Sequence, residues 1–161
     1  MDLRVYVDGS FNVGESVTHS GLAVVETHGE VVNLIHVATS IPELVAMHNV
    51  GGELFASIYA CSVVPNSYSM DKSDTLTVYY DYTGIGNFIG KGPVKWAAKK
   101  PGAQIYVALM SKYLKEAPCQ IKFIKVKAHS GNVYNNLADR AANNECPSGF
   151  EHVWSDGGMI R

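Results

Sequence analysis

The sequence predicts a single α/β domain over residues 1–161, built on a five-stranded mixed sheet flanked by helices. The first three strands are expected to be antiparallel and the later two parallel. Three strand-like runs crowd the N-terminal part, and two more then alternate with helical segments. At 161 residues the chain also fits one domain with one core.

Leu3-Arg4-Val5-Tyr6-Val7 alternates and is rich in β-formers, so it reads as the first strand, stopping at Asp8-Gly9-Ser10. Ser20 to Glu26 and Glu30 to Ala38 read as the second and third, joined through the short polar break Thr27-His28-Gly29 of a hairpin. Gly51-Gly52 precedes Glu53 to Cys61, in which Leu54, Phe55, Ile58 and Cys61 recur at helical spacing. Glu53 is thereby placed in a first turn, where a carboxylate suits the helix dipole. Thr75 to Tyr80 is the fourth strand and ends at Asp81. Pro101-Gly102 opens a helix reaching about Glu116, stopped by Pro118, and Gln120 to Lys127 follows as the fifth strand. Tyr134 to Asn144 is the last helix, with Leu137, Ala138, Ala141 and Ala142 on one side. The hairpins should be antiparallel and the strand–helix–strand crossovers parallel and right-handed.

Composition excludes several classes. Hydrophobic residues are 47% and charged residues 17%, which is globular rather than disordered or collagen-like. No apolar run approaches the roughly 20 residues of a membrane helix. The N-terminus lacks a signal-peptide pattern, so the expected location is cytoplasmic, or the chain is one expressed without its leader. Cys61, Cys119 and Cys146 stand far apart, with no CxxC pair and no Cys/His cluster to suggest zinc. They read as reduced thiols that pack as small apolar residues. Net charge is −2, yet residues 1–90 hold two basic and ten acidic residues, and residues 91–161 eleven basic and five acidic. That asymmetry fits either an acidic site beside a cationic docking surface or two differently charged solvated faces.

Four carboxylates carry the functional argument. Asp8 and Asp81 each end a strand, Glu53 opens the first long helix, and Asp139 lies in the last helix, off its apolar face. In an open sheet, functional groups gather beyond the carboxyl ends of adjacent strands. If the first and fourth strands are neighbours, Asp8 and Asp81 come side by side. Four carboxylates meeting there repel unless a cation holds them. Such hard oxygen ligands suit Mg²⁺, and two ions about 3.5–4 Å apart can bind the attacking water and leaving oxygen of a phosphodiester. Taken singly, each residue is an ordinary turn or helix-start residue.

The wording around these residues is more specific. Val5-Tyr6-Val7-Asp8-Gly9-Ser10, Asn49-Val50-Gly51-Gly52-Glu53-Leu54, Tyr79-Tyr80-Asp81-Tyr82-Thr83-Gly84-Ile85 and Lys125-Val126-Lys127-Ala128-His129-Ser130-Gly131-Asn132 with Asn135-Asn136-Leu137-Ala138-Asp139 resemble, in order, the four motifs of type 1 ribonucleases H. The resemblance spans Val5 to Ala142. It implies the ribonuclease H-like fold and hydrolysis of the RNA strand of RNA–DNA hybrids, leaving 5′-phosphate and 3′-hydroxyl ends. It implies Asp8, Glu53, Asp81 and Asp139 as ligands of two Mg²⁺ ions, with Mn²⁺ as an alternative metal. His129 resembles the mobile histidine that assists proton transfer or product release. Asn49 and the backbone of Gly9 and Ser10 resemble the groups that read the minor groove, whose 2′-hydroxyls distinguish RNA from DNA. Gly52 stands where members often carry Ala, and Asn136 where Glu is common.

The stretch from Asp81 to Pro101 is too short for the long basic handle of some bacterial members. No N-terminal hybrid-binding module is expected, because the first strand begins at residue 3. Lys95, Lys99 and Lys100, within the densest basic stretch, are expected to meet phosphates, with a solvated face as the competing reading; Trp96 among them could pack or contact nucleic acid. The partner is expected to be the hybrid alone, bound by a monomer, with no membrane and no obligate protein partner. Two alternatives stay open: another enzyme of this fold, such as a junction resolvase or a reverse-transcriptase-derived domain, or an inactive nucleic-acid-binding module. His19, His28, His36, His48 and His152 form no ligand-spaced pair and read as surface or turn residues. Tyr79 and Tyr80 read as core or sheet-face residues.

Overall fold

A computed structural model describes residues 1–86, 100–127 and 132–145, together with the backbone of 151–155. Strand β1 (Asp2–Ser10) pairs antiparallel with β2 (Thr18–Val25), and β2 antiparallel with β3 (Val31–Thr39). On the other side of β1 lie β4 (Thr75–Tyr80) and then β5 (Gln120–Lys125), both parallel. These are the five strands the sequence predicts, in the predicted directions. A sixth, β6 (Glu151–Ser155), which the sequence reading did not contain, adds in parallel to β3. The sheet order is β5-β4-β1-β2-β3-β6.

Alternation sorts the two faces. Val5 and Val7 of β1, Leu22 and Val24 of β2 and Val78 of β4 are fully buried beneath α2 (Asn49–Ser62) and α4 (Pro101–Glu116). Tyr6, Ala23 and Val25 face the other way and pack under α5 (Val133–Ala142) through Ala138. Tyr79 joins that side, its ring stacked on Tyr6 at 4.5 Å, whereas Tyr80 belongs to the first core. Both tyrosines thus pack as expected. Helix α5 is capped by Asn132, whose side chain accepts from the amides of Tyr134 and Asn135. Two four-residue helices, α1 (Pro42–Val45) and α3 (Val64–Ser67), flank α2, each opened by a proline in its first turn.

Helix α2 corrects one boundary. It begins at Asn49, so Gly51 and Gly52 are its early residues rather than a break before it, and Glu53 lies in its second turn. The glycines are there for contact. A Cβ on Gly51 would strike the Leu44 carbonyl of α1, and one on Gly52 would strike the His19 carbonyl of β2. At this position no alanine fits without backbone movement. The helix is also gripped by β2: the Thr18 hydroxyl donates to the His48 carbonyl at 2.7 Å and the Ser20 hydroxyl to the Gly52 carbonyl at 2.6 Å.

Candidate functional site

Strands β1 and β4 are parallel neighbours, with Tyr6 opposite Tyr79, so Asp8 and Asp81 come to the same end of the sheet. Asp81 follows the last residue of β4 as expected, but Asp8 does not end its strand, because pairing with β2 carries β1 on to Ser10. Glu53 reaches that end from α2, which Gly9 admits because a Cβ there would collide with the Asn49 carbonyl and the Glu53 amide. Asp8, Gly9, Asn49, Val50, Glu53, Asp81, Tyr82, Thr83 and Lys125 line one cleft of about 370 Å³. Asp139 stands on the exposed side of α5 and adjoins Asp8 on the face of the sheet that α5 covers.

Glu53 is 5% exposed. Its Oε2 accepts from the Tyr82 amide at 2.6 Å and the Asp81 amide at 3.3 Å, tying α2 to the end of β4. Burial pushes its carboxyl up to about 7; the Tyr82 amide opposes this, the Asp81 carboxylate adds to it, and Lys125 pulls it down. Burial likewise raises Asp8 well above the usual carboxylate range. The Gly9 amide, donating to Asp8 Oδ1 at 2.9 Å, works against that rise, while Glu53 and Asp139 reinforce it.

The donor set fits hard divalent cations. The four carboxylates adjoin in pairs, Asp8 with Glu53 and Asp139, and Glu53 with Asp81. Asp8 and Glu53 are held above their ordinary range by burial and by these neighbours, and an incoming cation would offset both effects. Among the described residues no three His, Cys, Asp or Glu side chains already close into a ready-made cage.

This arrangement has a measurable consequence. An unfolded Glu ionises near 4.5, while folded Glu53 holds its proton to about 7. Between those values the folded chain binds more protons, so stability present at low pH is lost as pH rises through the window, on the order of 3 kcal/mol from Glu53. Divalent cations bind the ionised form and should restore it. Thermal unfolding in chelator should show Tm falling from about pH 5 to pH 8, with Mg²⁺ raising Tm more at the higher pH. A Tm in chelator that does not fall over this range would contradict the assigned environment of Glu53.

The other nominated residues divide. Gly9 and Asn49 line the cleft. The Ser10 hydroxyl is engaged by Asn143 at 2.6 Å, and Asn143 Nδ2 in turn donates to the Asp139 carbonyl, so Ser10 joins β1 to the end of α5. Lys100 is exposed at the start of α4. His129, Lys95 and Lys99 lie outside the described residues, as do Trp96 and Cys146. Cys61 and Cys119 are free and buried, as the sequence suggests.

Sequence reasoning missed Lys125 and Asn143. Lys125 pairs with Tyr80 at the end of β5, so its place beside Asp81 follows once β4 and β5 are neighbours. It also misread two histidines: His19 Nδ1 and His36 Nε2 lie 2.8 Å apart on adjacent strands, and His36 is buried. No linear spacing reveals a pair made by strand pairing 17 residues apart.

A mixed sheet whose adjacent parallel strands present acids beside a helix-borne glutamate defines a class of α/β fold with an acidic cleft at the carboxyl ends of its central parallel strands. An RNase H family model matches residues 1–147, and the chain belongs to that family, a family of hydrolases. Among solved structures it is similar to RNase H1 from the halophilic archaeon Halobacterium salinarum NRC-1, at 14% identity and TM-score 0.66, covering 89% of this chain and 99% of that one. LC11-RNase H1, a protein isolated from compost by a metagenomic approach and solved with an RNA/DNA hybrid, is similar at 15% identity and TM-score 0.62, over 88% and 97%. The N-terminal RNase H domain of rv2228c from Mycobacterium tuberculosis is similar at 14% identity and TM-score 0.62, over 89% and 95%. A search of the curated proteins finds no match.

Proposed function

We propose that this protein is an endoribonuclease that hydrolyses the RNA strand of RNA–DNA hybrids by a two-metal-ion mechanism, leaving 5′-phosphate and 3′-hydroxyl ends. The observation that carries the proposal is the gathering of Asp8, Glu53 and Asp81 around a cleft that Gly9 and Asn49 also line, with Asp139 adjoining Asp8. Family membership and the hybrid bound to the similar LC11 protein support it.

In this reading Asp8, Glu53, Asp81 and Asp139 hold two Mg²⁺ ions. When bound, these supply an activated water and neutralise charge at the leaving oxygen. Glu53, fixed by the Asp81 and Tyr82 amides, keeps one side of the cleft in register with the other. Asn49 and the Gly9–Ser10 backbone face the minor groove and its 2′-hydroxyls. His129 assists proton transfer or product release, and Lys95, Lys99 and Lys100 meet the DNA strand's phosphates.

The test is cleavage of an RNA–DNA hybrid with Mg²⁺, beside RNA–RNA and DNA–DNA duplexes. Only the hybrid should be cut, in its RNA strand, with 5′-phosphate products; an inert hybrid would refute the proposal. Substrates should also need several consecutive ribonucleotides, because each missing 2′-hydroxyl leaves a polar group such as Asn49 less well paired. Equal cutting at a single embedded ribonucleotide would contradict minor-groove reading of this kind.

A further inference from the structure

The chain reaches α2 through a residue in a glycine conformation. His48 has φ 58° and ψ −130°, a region where a side chain typically costs about 1–3 kcal/mol. A glycine would sit there without strain. The imidazole therefore has to contribute something that offsets the strain, and its surroundings show what. Its ring stacks on Phe11, with centroids 4.5 Å and planes 17° apart. Its carbonyl accepts from the buried Thr18 hydroxyl at 2.7 Å, and its amide donates to the Val45 carbonyl at 3.0 Å.

Both ends of this contact adjoin the cleft. Phe11 follows Ser10 on the loop leaving β1, the strand of Asp8, and His48 immediately precedes Asn49, the first residue of the helix that carries Glu53. The loop is braced from behind. Asn12 Nδ2 donates to Glu15 Oε1 at 2.6 Å, Glu15 Oε2 lies 2.9 Å from His19 Nε2, and His19 Nδ1 lies 2.8 Å from His36 Nε2. Phe11 is thus offered to His48 from a loop anchored to two strands.

We propose that His48, clamped by Phe11 and Thr18, is a positioning residue that holds Asn49 at the cleft and so sets affinity for the hybrid; this rests on the reading of the cleft as a hybrid site. Glu53, four residues further on, has anchors beyond the Gly9 contact that it shares with Asn49: the two amides at the end of β4, and the Ser20 hydroxyl on the carbonyl of the preceding Gly52. Asn49, at the helix start, depends on the turn before it. Loosening the clamp therefore disturbs Asn49 first and the carboxylates last, and the effect should fall on KM more than on kcat.

His48→Gly separates function from folding, because it removes the ring and relieves the strain together. Three quantities decide the matter: hybrid-cleavage kinetics with Mg²⁺, Kd for a fluorescent hybrid by anisotropy in chelator, and Tm. His48→Gly should have a Tm equal to or above that of the wild type, with KM and Kd raised about fivefold or more and kcat within about twofold. Phe11→Leu, which keeps apolar packing but removes the ring, should weaken binding in the same way. A His48→Gly protein with wild-type KM and Kd, beside an active wild type, overturns the clamp alone. A wild type that neither binds nor cuts the hybrid overturns the reading of the cleft as well.

Discussion

Replacing Asp81 with Asn is expected to abolish cleavage of an RNA–DNA hybrid while leaving hybrid binding in place. The change keeps the side chain's shape and leaves the Asp81 backbone amide, which donates to Glu53 Oε2 at 3.3 Å, where it is. What disappears is one negative charge among the four that would hold the cations. Turnover with Mg²⁺ should fall by about a thousandfold or more, because cation-held water and leaving-group neutralisation supply most of the barrier reduction. Stability moves in the opposite sense. The Asp81 carboxylate pushes against Glu53 in the folded protein, so its removal should leave the metal-free Tm unchanged or raise it. The rise in Tm on adding Mg²⁺ should shrink at the same time, since that rise measures binding to the folded state. Near-normal turnover would sink the metal-site assignment. Loss of hybrid binding together with a lowered Tm would instead make Asp81 a structural residue.

The carboxylates were legible because each is marked locally and the sheet topology then brings them together. Asp8 and Asp81 stand where a β-branched or aromatic run stops, and parallel pairing of those two runs needs only the helical crossover between them. Strands β4 and helix α4 could be bounded from the sequence for the same reason: Thr75 to Tyr80 alternates, and Pro101 and Pro118 punctuate the helix on either side. Elements without such local marks escaped. Helices α1 and α3 are four residues each, too short to show a period. Strand β6 exists through pairing with β3 more than a hundred residues earlier, a partner that no local pattern names.

Glycines were the harder signal. Gly51-Gly52 resembles a chain break, since glycine weakens a helix, yet both lie inside α2 where another backbone passes too close for any side chain. Their meaning is tertiary: they record how near α1 and β2 come, and sequence alone cannot distinguish that from a turn. The same holds for the two hydroxyls of β2. Thr18 and Ser20 look like ordinary alternating strand residues, but both point to the α2 side and donate to its His48 and Gly52 carbonyls. Lys125 brings one cation of the basic half to the rim of the acidic cleft, while most of the lysine-rich stretch before Lys100 lies outside the described residues.

Gly21→Ala should be strongly damaging although Gly21 does not line the cleft. Gly21 pairs with Asp8 across β1 and β2, and it faces α5. A Cβ there would collide with the Ala138 carbonyl and the Ala142 amide, both backbone atoms that cannot swing aside. The helix would have to lift from the sheet, and Tyr6, Ala23 and Val25 would lose their contact with Ala138. Overpacking of a closed contact typically costs about 1–3 kcal/mol, and backbone against backbone belongs at the upper end. In a chain of this size that corresponds to a Tm lower by roughly 6–12 °C. The functional loss should exceed what that instability explains. Asp139 rides on the same turn of α5 as Ala138, beside Asp8, so lifting the helix withdraws one carboxylate from the other three. A displacement near 1 Å can cost about a hundredfold in rate, and cleavage should fall by at least that much at a temperature where the variant remains folded. Hybrid binding through Asn49 and Gly9, on the other face of the sheet end, should persist. A folded Gly21→Ala protein that cleaves at the wild-type rate would show that Asp139 does not need the close seat of α5 on β2, and would remove it from the carboxylate set.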